Sequence, residues 1–316
     1  MTAVTRSSPV RIDVSSWVVV ADETAGAEVK LWLEDPEGHS WLYKPVVVKK
    51  GHRQGEDWAE LIASSVAEQL GLPCASTALA RLDDLDGSIS LDLRPRQSEL
   101  VPGWIWMLVE HEVPGYIPGR DPQCPRGRPG HSLRNLKLVL DGVLPPPVCS
   151  LPDGFSAFDV FAGFLVLDAL IANRDRHDEN WSVLRPAASD EPVRLCGSYD
   201  HASSLGFNLT DSERTDRMAG GRGGVARWVS RGTAWRFEHE PADGPATLVA
   251  LAAEAVRMAS PAAITHWREI VARVRLDQAV ELIEDVREMS EPTRTFTRTV
   301  LSTNLERMRD EFDRHR

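Results

Sequence analysis

The stretch LIANRDRHDENWSVL, residues 170–184, decides how this chain is read. An apolar run stops, seven polar or charged side chains follow without a break from Arg174 to Asn180, and Trp181, Val183 and Leu184 are apolar again. Charges wedged between buried segments are costly unless they are paired or put to use. Just upstream, FSAFDVFAGFLVLDALIA (155–172) is apolar nearly all round, the pattern of a central buried helix. The polar run is therefore a loop held at both ends by core. Phe164, Leu167, Leu170 and Ile171 anchor its start, and Trp181, Val183 and Leu184 anchor its exit.

The 316 residues, 42% apolar and 26% charged, suffice for one large domain or two lobes. A net charge of −11 argues against a dedicated nucleic-acid or anionic-membrane binder, because both need a basic face. No apolar run is long enough to span a bilayer, and the first residues lack the apolar core of a signal peptide, so the expected location is cytoplasmic. Cys74, Cys124, Cys149 and Cys196 are widely spaced and read as reduced thiols.

Outward from the loop, the two halves of the chain differ. Residues 16–49 hold apolar, β-branched runs separated by PEGHS, a turn signal, and read as a small sheet. Residues 56–70 repeat Trp58, Leu61, Ile62, Ser65, Val66 and Leu70 at helical spacing, and Gly71 and Pro73 stop the helix. STALARLDD and GSISLDLR read as strands around a DLDG turn, and GWIWMLVEHEV as a further buried strand or connecting segment. Residues 114–131, rich in Pro, Gly and Arg, read as a flexible linker, with LPPPV (144–148) a second connector. Residues 211–232, polar and Gly-rich, read as a mobile loop that carries arginines and Ser/Thr hydroxyls. At least three helices are expected from about 245 onward. The result is a two-lobed α+β pattern, β-rich and then helical.

Asp175 and Asn180 lie five residues apart on the loop, and Asp200 follows PVRLC, a short strand candidate. One amide and two carboxylates are hard oxygen groups. Phosphoryl transfer needs such groups to hold Mg²⁺, which keeps most of its waters, and a further carboxylate to orient the attacking hydroxyl. The β-rich half supplies the complement. Lys44 sits in the strand-like WLYKPV, where an ammonium needs a partner, and Glu60 sits on the next helix beside its apolar face, with Glu56 and Glu68 as competitors. The small-residue turn Ala25-Gly26-Ala27 offers backbone N–H groups to phosphate oxygens. Singly each signal is weak: Lys44 is also a plausible sheet-edge lysine and His177 a structural histidine. Their order along the chain is what counts.

The spacing Arg174-Asp175-x4-Asn180 resembles the catalytic loop of protein kinases, and Asp175-Arg176-His177-x2-Asn180 that of phosphatidylinositol kinases. Together AGAEVK, YKP, GEDWAELIASSVAEQLGLP, GSISLD, DRHDEN and YDHASSLGF resemble the HipA-like kinases over roughly residues 20–310. The resemblance implies a bilobal protein-kinase-like α+β fold, with an N-lobe over 1–113 and a helical C-lobe over 114–316, and an ATP- and Mg²⁺-dependent kinase. It implies that Asp175 is the catalytic base, with His177 shaping its loop. Asn180 and Asp200 are then the Mg²⁺ ligands, Lys44 paired with Glu60 binds the ATP phosphates, and Gly26, Ala27 and Lys30 form the phosphate loop. The adenine-reading hinge is expected near 107–113.

The sequence departs from the protein-kinase pattern in two places: G-x-G-x-x-G is absent, and the metal aspartate sits in YDH, not DFG. An antitoxin-like partner is also implied, although full-length HipA toxins carry an extra N-terminal segment for theirs and this chain is shorter. The expected acceptor is a protein Ser or Thr hydroxyl. The alternatives are a metabolite, antibiotic or sugar hydroxyl, or a catalytically inactive nucleotide- or partner-binding module.

Overall fold

The computed structural model describes residues 10–23, 30–188 and 190–314. The turn Ala25–Ala27, with Gly26, lies outside the described residues. In the first part, strands β1 (Ile12–Asp13), β2 (Val18–Glu23), β3 (Lys30–Glu34) and β4 (Ser40–Pro45) precede a small hairpin of β5 (Val48–Lys49) and β6 (His52–Arg53). Helix α1 (Glu56–Gln69) follows, then β7 (Thr77–Leu82) and β8 (Leu85–Leu91). Six strands form one sheet in the order β1-β7-β8-β4-β3-β2, antiparallel except for the β1–β7 pair. The β7–β8 turn is tighter than expected: only Asp83 and Asp84 separate the strands, and Leu85, Asp86 and Gly87 of DLDG already belong to β8.

Strand alternation sorts the side chains between the two faces. Tyr43, Ile89 and Leu33 build a small core with Val14 and Ala80 on one face. Lys44 is in register with Ser88, as is Leu79, so all three share the other face. Leu79 packs there with α1 in the main core. Lys44 therefore points toward α1, where Glu60 is buried.

β9 (Ser98–Pro102) leaves this sheet. It pairs antiparallel with β10 (Ser182–Pro186), whose other edge carries β11 (Arg194–Leu195). After β9 the chain is helical where a strand or connecting segment was expected: α2 (Gly103–Ile105) runs into a π-helical turn, Trp106–Glu110. Trp106 and Met107 are both buried, and Trp106 Nε1 donates to Val139 O at 2.8 Å, which ties this turn to the helical part.

The remaining helices are α3 (Leu133–Val139), α4 (Ala157–Ile171), α5 (Asp211–Met218), α6 (Gly224–Ser230), α7 (Leu248–Met258), α8 (Pro261–Arg273), α9 (Asp277–Asp285) and α10 (Glu291–Asp313). Every residue of α4 is buried, and α7 and α10 pack against it. The expected mobile loop at 211–232 is instead α5, a 3-10 turn and α6. Thr210 and Glu213 form a capping box, and buried Arg214, Val225 and Val229 fix the segment to the core.

The 114–131 segment is a loop without regular structure, but it is not loose. Tyr116 Oη and Gly119 N both donate to Asp178 Oδ2, the latter at 2.7 Å, and Gly130 N donates to Glu238 at 2.8 Å. All four cysteines are free thiols. Among the described residues, no helix is long and apolar enough to cross a membrane.

Candidate functional site

Termination of α4 positions the polar loop. Ala172 takes the left-handed conformation (φ 56), and three of the last four carbonyls of the helix find donors. Asn173 N bonds Asp168 O at 2.9 Å, Asn304 Nδ2 bonds Leu170 O at 3.1 Å and Leu205 N bonds Ile171 O at 2.8 Å. All seven apolar residues expected to anchor the loop, from Phe164 to Leu184, are buried.

Neither arginine of the loop pairs with a carboxylate of the loop. Arg176 turns inward, with Nε 2.8 Å from Asp168 Oδ2, one terminal nitrogen 2.8 Å from Asp168 Oδ1 and the other 2.7 Å from Asn180 O. This forked, fully hydrogen-bonded arrangement is one of the few that lets a guanidinium be buried. Asp178 also faces inward. Burial raises its carboxyl, but His131, Tyr116 and Gly119 outweigh that and hold it lowered.

Asp175 and His177 are half-buried, and Asn180 is buried beside them. The Asn180 side-chain amide donates to Asp175 O at 2.9 Å, which leaves its Oδ1 as acceptor. His177 Nδ1 accepts from Glu179 N at 3.1 Å. Burial lowers the His177 pKa, so the ring is neutral near pH 7 and carries its proton on Nε2, 3.9 Å from Asp175 Oδ2.

Asp200 lies across from the loop in the left-handed conformation (φ 60). Lys44 Nζ is 2.7 Å from Asp200 Oδ1, and Lys30 Nζ is 3.9 Å from Oδ2. Burial would raise this carboxyl, but Lys44 and then Lys30 outweigh it and hold it far below the usual range. Lys44 Nζ is also 3.9 Å from Glu60 Oε2. Of the competing glutamates, Glu68 is exposed and Glu56 lies 3.4 Å from Val47 N, so the geometry selects Glu60.

Glu60 does more than face a lysine. Its oxygens accept from His201 N at 2.9 and 3.0 Å, and His201 Nδ1 is 3.3 Å away. Burial opposes charge on both groups. Lys44 and His201 nevertheless lower Glu60, while Cys74 and Glu60 raise His201 to about 9. His201 Nε2 meets Ser198 Oγ at 2.7 Å, and that oxygen accepts from Arg176 at 2.9 Å. A continuous buried polar chain thus runs from Lys44 through Glu60, His201, Ser198 and Arg176 to Asp168.

The sequence reading missed Arg236 and His201. Arg236 Nε and a terminal nitrogen approach Asp175 Oδ1 at 2.8 and 2.6 Å, and its guanidinium lies 3.9 Å from the Trp235 ring centre. Its backbone carbonyl accepts from His131 Nδ1 (2.7 Å), whose Nε2 accepts from Trp181 Nε1 (3.3 Å). No local pattern in TAWRFEHE announces this. Asp168 and His201 did leave a trace: a carboxylate inside an apolar helix and an imidazole beside the metal-candidate aspartate both demand partners.

Asn180 Oδ1 and the ionised Asp200 carboxylate are hard oxygen donors, and Lys44 and Lys30 beside Asp200 supply positive charge, the donor chemistry that a hard divalent cation and a polyphosphate take.

No protein-family model matches the chain, and no curated protein sequence matches it. Solved structures do. The Helicobacter pylori proinflammatory kinase CtkA superposes with a TM-score of 0.70 at 18% identity, over 96% of this chain and 97% of that one. HipA of Shewanella oneidensis MR-1, solved with HipB and operator DNA, superposes with a TM-score of 0.54 at 15% identity, over 91% of this chain and 67% of that one.

Proposed function

On the HipA-like kinase fold that this chain has, we propose an ATP- and Mg²⁺-dependent kinase that moves the γ-phosphate to a hydroxyl, a protein Ser or Thr being the acceptor we favour. One observation carries the reading. Lys44 reaches Asp200 from the sheet at 2.7 Å, and Tyr199, the residue before Asp200, donates to Glu179 O at 3.0 Å in the loop that carries Asp175 and Asn180, which supports a shared site. We divide the chain as a β-rich nucleotide-phosphate lobe over 1–113 and a helical lobe over 114–316, with the hinge near 107–113.

Lys44 and Lys30 bind the triphosphate oxygens, and Glu60 holds Lys44 on its face of the sheet. Asn180 and Asp200 would hold Mg²⁺, which supplies charge neutralisation at the β- and γ-phosphates when bound. Arg236 occupies only Oδ1 of Asp175, which leaves Oδ2 to accept the proton of the incoming hydroxyl. The hydroxyl oxygen bonds to the γ-phosphorus, the bond from that phosphorus to the β–γ bridging oxygen breaks, and ADP leaves with the electron pair. The region of Gly26 and Ala27 belongs to the phosphate-binding loop in this reading.

Thermal unfolding with and without ATP–Mg²⁺ tests the reading first. Nucleotide at about a hundred times its Kd stabilises by about 2.7 kcal/mol. No shift at millimolar nucleotide would sink it. Intact-mass measurement then tests the acceptor: added phosphate that disappears in Asp175→Asn supports a protein hydroxyl. The HipA neighbour was solved with HipB; an antitoxin-like partner for this chain is part of the proposal, checked by the native mass of the protein isolated from its host.

A further inference from the structure

A cavity of about 320 Å³ opens at the start of the polar loop, and neither Lys44 nor Asp200 lines it. Arg174, the residue before Asp175, lines it together with Ala172, and Arg217, Arg222, Arg227, Arg231 and Trp228 line it further, with Val229 and Gly232. Five arginines converge on one space in a chain whose net charge is −11. Among the described residues, Arg222 is the only one of the five within ion-pair reach of a carboxylate, at 3.7 Å from Asp216 and 3.9 Å from Glu213. Arg217 Nε is buried with no hydrogen-bond partner, and Arg174 finds only the Thr233 hydroxyl, at 3.2 Å. Converging guanidinium groups repel one another and gain from an anion between them.

The scaffold under these arginines is fixed. Val225 and Val229 of α6 are buried, Arg307 of α10 bonds Val229 O at 3.1 Å, and Trp228 packs edge-on against Phe296 of α10 at 5.1 Å. The cavity is therefore built, and its arginines are not arms on a loose loop.

We propose that this cavity is an anion subsite for the acceptor. It takes a phosphate monoester dianion carried by the molecule whose hydroxyl approaches Asp175. Three terminal oxygens and two negative charges suit several forked donors better than one carboxylate does. Arg174 joins the two places, because it lines the cavity and precedes Asp175 in the chain. The inference rests on the kinase reading for the identity of the acceptor, but the anion site stands on its own geometry.

Thermal-shift titrations at constant ionic strength, with inorganic phosphate, O-phosphoserine and a sugar phosphate as separate probes, test it. The triple variant R217Q/R227Q/R231Q should bind phosphate at least about tenfold more weakly than wild type, because charge-assisted bonds are lost. Lys44→Met, which alters the nucleotide side, should bind it as wild type does. The variant R227E/R231E changes only exposed side chains and guards against misfolding of the triple variant. Phosphate binding that survives in both arginine variants, disappears in Lys44→Met, or is absent throughout overturns the proposal. ATP–Mg²⁺ stabilisation should persist in the arginine variants. If it is missing in every form while phosphate binding follows the arginines, the anion site is supported and the kinase reading alone falls. Preference for phosphoserine over the sugar phosphate assigns the acceptor to peptides, and the reverse assigns it to metabolites.

Discussion

Both hydrogen bonds that Arg236 sends to Asp175 end on the same oxygen. A guanidinium aimed in that way orients the carboxylate without covering it, and Trp235 and the His131 contact hold the guanidinium in turn. Arg236→Met should therefore lower kcat about tenfold and leave the KM for ATP unchanged, a pattern expected of a positioning residue. Steady-state kinetics read both values, and a raised KM with unchanged kcat would contradict the assignment. At this scale Asp175, Asn180, Lys44, Glu60 and Asp200 were legible, because short spacings and flanking apolar runs announce them. Arg236 was not. It reaches Asp175 across 61 positions from an irregular segment, and only the folded chain brings them together. Arg176 was legible as a charge but not as a partner of Asp168, since helix α4 had to exist before the pair could.

Among elements, the junction of β9 and α2 controls more than its own conformation. A β-carbon built on Gly103 would lie 2.1 Å from the Trp181 ring, and Gly103 N bonds Trp181 O at 2.9 Å. Gly103→Ala must push the indole away, an overpacking worth about 1–3 kcal/mol. Urea midpoints should show it. Because Trp181 leads through His131 to Arg236, kcat should fall with it; a stable variant with full activity would break that connection. The helices α5 and α6 show why polar composition misleads. The Thr210/Glu213 capping box was present in the sequence, but the glycines that follow masked it, and the burial of Arg214, Val225 and Val229 is a tertiary fact. The 103–110 segment failed for the opposite reason. Aromatic and β-branched residues favour strands, yet the chain turns helical from Gly103 and buries Trp106 and Met107 from a helical turn.

The two-part architecture was readable over the whole chain, since a β-rich half and a helical half carry different periodicities. The tie between them was not. His201 is raised to about 9, so the folded state holds its proton more tightly than the unfolded chain does, whose imidazole titrates near 6.5. That contribution is complete below about pH 6.5 and is lost as pH rises through about 9, on the order of 3 kcal/mol in total. Glu60 acts in the opposite sense: its lowered pKa stabilises above the ordinary carboxylate range and fails as pH falls through the lowered value. Urea midpoints from pH 6 to 10 should decline on the alkaline side, and His201→Asn should flatten that limb. An unchanged slope would remove His201 from the account.

The pinned 114–131 loop bears on cutting and joining. Arg120 and Arg126 are exposed, so a protease has places to cut. A cut there severs one strand of covalent chain but none of the ties around it: Asp178 to Tyr116, β9 to β10, Glu60 to His201. Two pieces made in this way should migrate as one particle at neutral pH and part only under denaturant. Either piece expressed alone would expose half of a polar seam that the other was built to close, and its natural remedy is co-expression with its complement.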